Sequence, residues 1–292
     1  MKLCLGTVQF GMKYGINNSQ GQPSLERCVE MMNYAVRNGI DSFDTATAYN
    51  EAESVVGHFL SQTPDKVNVI SKLRPNCIED SSSNIGDIIE NELKSTLKKL
   101  NVKSIYGYLL HNADYLYNDK VIATLKTLKG KGLIKHFGVS IYDVKDGFYG
   151  IDNGCTIVQA PYSVFDQRIR SQNLLSYAKE KNIEVHTRSA FLQGLLMMDV
   201  PNIPDKLNGI IPYVEKLNSI CSRYGIDKKQ TLIAFVKQTE GIEKLVFGVD
   251  NINQLEEFIR IFNEASLPEQ VINELRLAFN DISEDLILPN RW

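Results

Sequence analysis

The chain alternates short runs of β-branched and other apolar residues with longer stretches whose apolar positions recur every three or four residues. Eight runs read as strands: Lys2–Leu5, Ile40–Phe43, Val67–Ser71, Ile105–Leu110, His136–Val139, Ile157–Gln159, Glu184–Thr187 and Lys244–Phe247. Helical spacing marks Ser24–Asn38, Glu51–Ser61, Asn84–Leu100, Asp119–Lys131, a short segment after Tyr142, and Ile169–Lys181. Four more helical stretches follow, at Ile210–Tyr224, Lys228–Gln238, Asn251–Phe262 and Pro268–Ala278. In Asn84–Leu100, Ile85, Ile88, Ile89, Leu93 and Leu97 form one apolar stripe. Lys94, Lys98 and Lys99 face water in its later turns, where cations suit the helix dipole. Ser24 is placed to cap the first helix and Gly39 to end it.

Eight strand–helix units in this length are what a closed (β/α)8 barrel of the α/β class, a TIM barrel, requires. Two doubly wound domains would need a linker between them, and the pattern offers none, so residues 1–292 are expected to form a single barrel domain. Met198–Asn208, with Pro201 and Pro204, is the most loop-like stretch and is expected to lie as a long βα loop over the barrel mouth.

Composition narrows the partners. The chain is 43% hydrophobic and 23% charged, so it carries enough apolar residues for a packed core. Its net charge of −3, from 32 basic and 35 acidic side chains, provides no overall cationic field for a nucleic-acid backbone. Five scattered cysteines without a C-x-x-C pair speak against a disulfide framework or a zinc site, so no metal is expected and a reduced, cytoplasmic setting is. The first residues are too short an apolar run for a signal peptide, and no window approaches a membrane span, so no membrane partner is expected.

In such a barrel the working groups lie at the C-terminal ends of strands. Asp44 follows the second predicted strand, Lys72 the third and His111 the fourth, each ending an apolar run; Tyr49 lies five residues after Asp44. A tyrosine, with an ordinary pKa near 10, is a poor proton donor until a neighbouring ammonium favours its phenolate. Lys72 is placed to supply that ammonium, and Asp44 to keep it charged. His111 is placed to donate a hydrogen bond to a substrate carbonyl. His58 and His136 read as structural, whereas His186, near a strand end, is open between the core and the pocket. Trp292 is open between a packing anchor and a substrate rim. Gly6, Gly11 and Gly15 fit no phosphate-binding fingerprint and read as part of a substrate-side loop.

The stretches LGTVQFG, FDTATAYNEAESVVG, VISK and YGYLLHN, followed in order by HFGVS, VQAPYSVFDQR, FLQGLL and FGVDNINQLEEF, resemble an aldo-keto reductase over nearly the whole chain. The resemblance implies reduction of an aldehyde or ketone by NAD(P)H, with Tyr49 as general acid, Lys72 and Asp44 tuning it, and His111 orienting the carbonyl. It implies that Ser140 and Gln159 hold the nicotinamide carboxamide. Gly194 and Leu195 would approach the pyrophosphate, and Gly248, Asp250, Asn251 and Gln254 would lie toward the adenosine. Gln9, Asn112 and Gln193 are the polar candidates for substrate contact and point to a hydroxylated, sugar-type carbonyl.

The chain departs from the family pattern at several places. Ile141 stands where many members have asparagine, and Arg188 where many have a tyrosine that stacks on the nicotinamide; an arginine there would favour the reduced cofactor. Many relatives plug the barrel floor with an N-terminal hairpin, whereas Lys2–Leu5 already reads as a barrel strand, so the floor must be closed otherwise. The family resemblance implies NADPH. Val249–Ile259 nevertheless contains no lysine or arginine for a 2′-phosphate and offers Asp250, Glu256 and Glu257 instead; Asp250 is placed to take a ribose 2′-hydroxyl, which keeps NADH in contention. Two other functions compete: a Schiff-base aldolase using Lys72, and a non-catalytic redox sensor that binds nicotinamide.

Overall fold

The eight parallel strands are neighbours in space in the order in which they follow one another in sequence, and the last closes on the first. A computed structural model of the chain describes residues 1–16, 18, 20–79 and 84–292. Its strands are β1 (Lys2–Gly6), β2 (Ser42–Asp44), β3 (Asn68–Leu73), β4 (Ile105–Leu110), β5 (Ile134–Ser140), β6 (Ile157–Pro161), β7 (Glu184–Arg188) and β8 (Lys244–Phe247). They pair in that order into a closed barrel, with β8 returning to β1 through Cys4↔Val246 and Leu5↔Phe247.

The outer ring is α2 (Leu25–Arg37), α3 (Ala52–Leu60), α4 (Ile85–Leu100), α5 (Asp119–Gly130) and α6 (Val144–Asp152), followed by α7 (Arg168–Ser171) and α8 (Leu174–Glu180), then α9 (Ile211–Tyr224), α10 (Lys228–Lys237) and α11 (Ile252–Glu264). A four-residue helix, α1 (Val8–Gly11), follows β1, and α12 (Glu269–Ala278) and α13 (Glu284–Ile287) complete the chain. Of the α4 stripe, Ile85, Ile89, Leu93 and Leu97 are buried as the spacing predicts, whereas Ile88 is only half-buried. The Ser24 side chain accepts from the Arg27 amide, and Gly39 takes the left-handed φ of 82° that ends α2.

Two expectations are corrected. The stretch read as one helix over Ile169–Lys181 is two, because Asn173 sits at φ 64° and turns the chain between α7 and α8. The stretch Met198–Asn208 is folded into 3₁₀ turns at Val200–Asn202 and Asp205–Ile210 that pack on α9 and α13 instead of covering the mouth. Burial of Ile203 and Leu207 draws it there.

The floor is closed by side chains. Tyr106, from β4, donates to Glu184 at the start of β7; His186 meets the same carboxylate at 2.9 Å. The Tyr106 ring packs on His136 at 4.7 Å and beneath the Lys244 ammonium at 5.5 Å. His186 is thus a buried core histidine, fully shielded from solvent. Inside the barrel lies a small apolar cluster of Cys4, Ile70, Leu109, Ile157 and Val246. Trp292 packs against the main core and lies outside the cleft described below.

One buried carboxylate braces the end of β3. Glu53, on α3 and fully shielded, accepts from Ser71 Oγ at 2.7 Å and Thr96 Oγ1 at 2.9 Å, while Lys99 lies 3.5 Å away. Thr47 Oγ1 donates to the Lys72 carbonyl at 3.1 Å, so the strand end that carries Lys72 is held from two sides. Glu53→Gln is expected to cost about 1–3 kcal/mol: the glutamine oxygen can still accept from both hydroxyls at the Oε1 position, but the amide nitrogen takes the place of Oε2, the oxygen that faces the Lys99 ammonium, and is left as a buried donor opposite a cation. Urea denaturation measures this, and a loss below about 0.5 kcal/mol would contradict it.

Candidate active site

Asp44 at the end of β2, Lys72 near the end of β3 and Gln159 in the middle of β6 project inward because strand alternation places every second residue inside the barrel. Lys72 Nζ donates to Asp44 Oδ2 at 2.6 Å and to the Thr45 carbonyl at 2.9 Å. Gln159 Nε2 occupies the other Asp44 oxygen at 2.7 Å. All three residues are buried, with Lys72 only 1% exposed. The third donor position of the Lys72 ammonium faces Tyr49, whose hydroxyl lies 3.5 Å away. The Tyr49 ring stands perpendicular to that of His111, with centroids 6.0 Å apart. The four candidates, widely spaced in sequence, therefore converge on one point at the C-terminal end of the barrel.

The electrostatics revise one expectation. Burial pushes the Tyr49 phenol above its ordinary value, and the opposing pull of Lys72 does not offset it. The ammonium is 3.5 Å from the hydroxyl and 2.6 Å from Asp44, so its field is largely neutralised before it reaches the phenol. Tyr49 is a protonated donor at neutral pH. Burial pulls the Lys72 pKa down, yet Asp44 and Tyr49 together raise it above its ordinary value and keep it charged. A charged, triply engaged ammonium is the wrong state for attack on a carbonyl, so the geometry gives no support to a Schiff-base lysine. Burial, with the positive fields of Lys72 and Arg188, lowers His111 to about 4, so its imidazole is neutral at pH 7. His111 Nδ1 is buried without a hydrogen-bond partner among the described residues.

A cleft of about 480 Å³ runs from Asp44 and Tyr49 across the ends of β7, β8 and β1 to α10 and α11. Arg188, Gln193, Gly194, Gly248, Asp250, Gln254 and Gln9 line it. Ser140 is buried at the end of β5 and pairs in register with Gln159, beside the cleft and not in its wall. Three further candidates lie off the wall. Leu195 is fully buried in the core, Asn251 caps α11 through the Gln254 amide and reaches Gln20, and Asn112 caps a 3₁₀ turn through the Asp114 amide. Arg188 lines the cleft with its guanidinium 4.4 Å from the centre of the Tyr142 ring, and donates to the Ile141 carbonyl at 3.2 Å. The Ile141 side chain is fully buried, so the asparagine contact missing from the sequence is not restored by that residue.

An elongated nucleotide fits this cleft on two observations. Gly248 leaves room that a Cβ would remove, since that atom would stand 2.4 Å from Gln9 Oε1, itself buried without a partner among the described residues. Gly194, at φ 93°, presents bare backbone to the same groove. The loop after β1 crosses the groove, with Gln193 donating to the Tyr14 hydroxyl at 3.0 Å and Asn18 donating to Asp250 at 3.0 Å.

Sequence reasoning finds Glu257 as one of the acidic residues after β8 but misses Lys229 and the pair the two form. Both line the far end of the cleft, joined at 2.6 Å, and their separation by 28 residues left no local signal. Gly11, read from the sequence as a loop residue, instead ends α1 in close contact with the backbone of Tyr49. Among the described residues no His, Cys, Asp or Glu group is arranged to hold a metal ion, and no helix is long and apolar enough to cross a membrane.

Residues 2–278 match the Aldo/keto reductase family. A protein of Escherichia coli (strain K12), described as an NADH-specific methylglyoxal reductase, is 23% identical over 296 residues, 90% of each chain. A second Escherichia coli protein, methylglyoxal reductase YeaE, is 25% identical over 230 residues, 76% of this chain and 75% of its own. Among solved structures, an aldo-keto reductase from Bacillus halodurans in its holo form superposes with a TM-score of 0.76 at 18% identity, covering 100% of this chain and 95% of its own. The glycerol dehydrogenase of Gluconobacter oxydans gives a TM-score of 0.74 at 20% identity, over 99% and 92% of the two chains.

Proposed function

Because the chain belongs to the aldo/keto reductase family, and is an NAD(P)H-dependent carbonyl oxidoreductase, we propose that Tyr49 is its proton donor and that Lys72, Asp44 and His111 prepare it and the substrate. The observation that carries the assignment is the buried Asp44–Lys72 pair with Tyr49 set against its free side. The cleft lined by Gly194, Gly248, Asp250 and Gln254 would hold a nicotinamide nucleotide, which would supply hydride for the carbonyl carbon. Tyr49 donates its hydroxyl proton to the oxygen as negative charge develops there. Lys72, fixed by Asp44 and the Thr45 carbonyl, stabilises the phenolate left behind, so its charge matters more after transfer than before. His111, as a neutral imidazole, is the hydrogen-bond donor that orients the carbonyl. Gln159, already bound to Asp44, couples the carboxamide end of the nucleotide site to the same network, with Ser140 beside it.

Reductive turnover is expected to be flat between about pH 5 and pH 8. His111, at about 4, is neutral throughout that range, and Tyr49, raised above its ordinary value, is protonated throughout it. A pH profile of kcat measures this; a limb with an apparent pKa near the ordinary histidine value of about 6.5 would contradict the neutral His111.

The substrate class we propose is a small, oxygen-rich carbonyl compound, of the hydroxy-aldehyde, dicarbonyl or sugar type. Gln9 and Gln193 in the cleft wall support it, and so do the names of the methylglyoxal reductases and the glycerol dehydrogenase among the similar proteins. Nucleotide oxidation with a panel of such carbonyls and with matched alkyl aldehydes tests the class, and a uniform preference for the alkyl series would overturn it. For the nucleotide we propose NADH over the NADPH that family resemblance alone implies, on the acidic character of the far end of the cleft. Gly194, Gly248, Asp250 and Gln254 would line its path, with Leu195 and Asn251 supporting that wall from behind.

A further inference from the structure

Among the described residues, two cations line the cleft. Arg188 belongs to its catalytic end; Lys229, in the first turn of α10, belongs to the other. Lys229 Nζ lies 2.6 Å from Glu257 Oε2 on α11, and Asp250 and Gln254 share that end of the cleft. Asp250 is itself held by amides, from Asn18 at 3.0 Å and Gln254 at 3.4 Å, so its carboxylate stays directed into this region. Arg260, the one basic residue of α11, pairs with Glu264 one turn further along and does not line the cleft.

We infer that the Lys229–Glu257 pair is the nucleotide selector of this protein. Glu257 holds the ammonium that a 2′-phosphate would need, and with Asp250 it leaves one cation facing two carboxylates. A dianionic 2′-phosphate entering that region must displace Glu257 from Lys229 and still meet Asp250, whereas a ribose 2′-hydroxyl meets neither demand. The pair is partly solvated, with side chains 28% and 42% exposed, so it is weak enough to break once Glu257 is neutralised. Selection therefore resides in the charge of Glu257 more than in the strength of the bond. The inference deepens the nucleotide reading given above and rests on it.

The test titrates the purified protein, by calorimetry, with NAD⁺ and NADP⁺ and with the fragments 5′-ADP and 2′,5′-ADP. The wild-type chain is expected to bind NAD⁺ more tightly than NADP⁺, and 5′-ADP more tightly than 2′,5′-ADP. Glu257→Gln is expected to move both ratios toward the 2′-phosphorylated ligand by about tenfold, the order of effect of removing one nearby charge. Adding Lys229→Met to that variant is expected to return the ratios to within about threefold of wild type. A folded Glu257→Gln protein with unchanged ratios overturns the selector while leaving the nucleotide site standing, as does a wild-type preference for NADP⁺. If wild type binds none of the four ligands, the nucleotide reading of the cleft falls first and the selector with it.

Discussion

Tyr49→Phe is expected to lower reductive turnover by at least about 10²-fold, the usual worth of a positioned general acid, with nucleotide binding retained. The substitution removes one oxygen and leaves the ring, so the edge-on contact with His111 at 6.0 Å survives. It also leaves Lys72 satisfied, since that ammonium keeps Asp44 at 2.6 Å and the Thr45 carbonyl at 2.9 Å. That makes it a cleaner test than removing Lys72. Deleting the lysine would strand the Asp44 carboxylate in a site where its side chain is 5% exposed, a loss of about 3–5 kcal/mol in stability that would confuse any reading of the rate. Single-turnover reduction of a responsive aldehyde measures the effect. A variant within about threefold of wild type would show that the proton comes from elsewhere.

Gly11→Ala is expected to damage both the fold and the rate, although position 11 bears no functional group. A Cβ on Gly11 would stand 1.7 Å from the Tyr49 carbonyl oxygen and 2.7 Å from the Ala52 amide. Both are backbone atoms, so nothing flexible can give way. Either α1 is expelled from α3 or the turn that carries Tyr49 shifts by an ångström or more. Overpacking of this kind costs about 1–3 kcal/mol, and a displacement of about 1 Å at a catalytic group can cost up to about 10²-fold in rate. Melting temperature and kcat should therefore fall together. Gly21→Ala is the control for a glycine-to-alanine change in the same segment between β1 and α2. Nothing lies within 4 Å of its Cβ, and only its φ of 78° resists the substitution. Equal behaviour of the two variants would refute the packing argument.

Gly11 also marks a limit on what the sequence conveys. As a letter between two other glycines it reads as a loop residue; as a position, it is where α1 touches the backbone beside Tyr49. The strands were legible because apolar alternation and run length are local properties, and β4 and β8 lie at the boundaries their residues predict. The Asn173 turn was not, because asparagine tolerates a left-handed backbone without announcing it in the helical periodicity around it. The 3₁₀ turns after Met198 were hidden for the converse reason: prolines mark a loop, but where it packs depends on which apolar faces of α9 and α13 are left uncovered.

The sequence by itself determined the barrel, the order of its elements, and the four strand-end residues Asp44, Tyr49, Lys72 and His111, because a parallel barrel turns position along each strand into position around one mouth. Tertiary structure decided what those residues are like. It left Tyr49 protonated by burying it farther from Lys72 than Asp44 is, kept His111 a neutral imidazole, and braced Lys72 through a buried Glu53. It also brought Lys229 against Glu257 from a different helix. Solvation and Coulomb fields depend on distances and exclusion of water, and those exist only after the eight strands have closed.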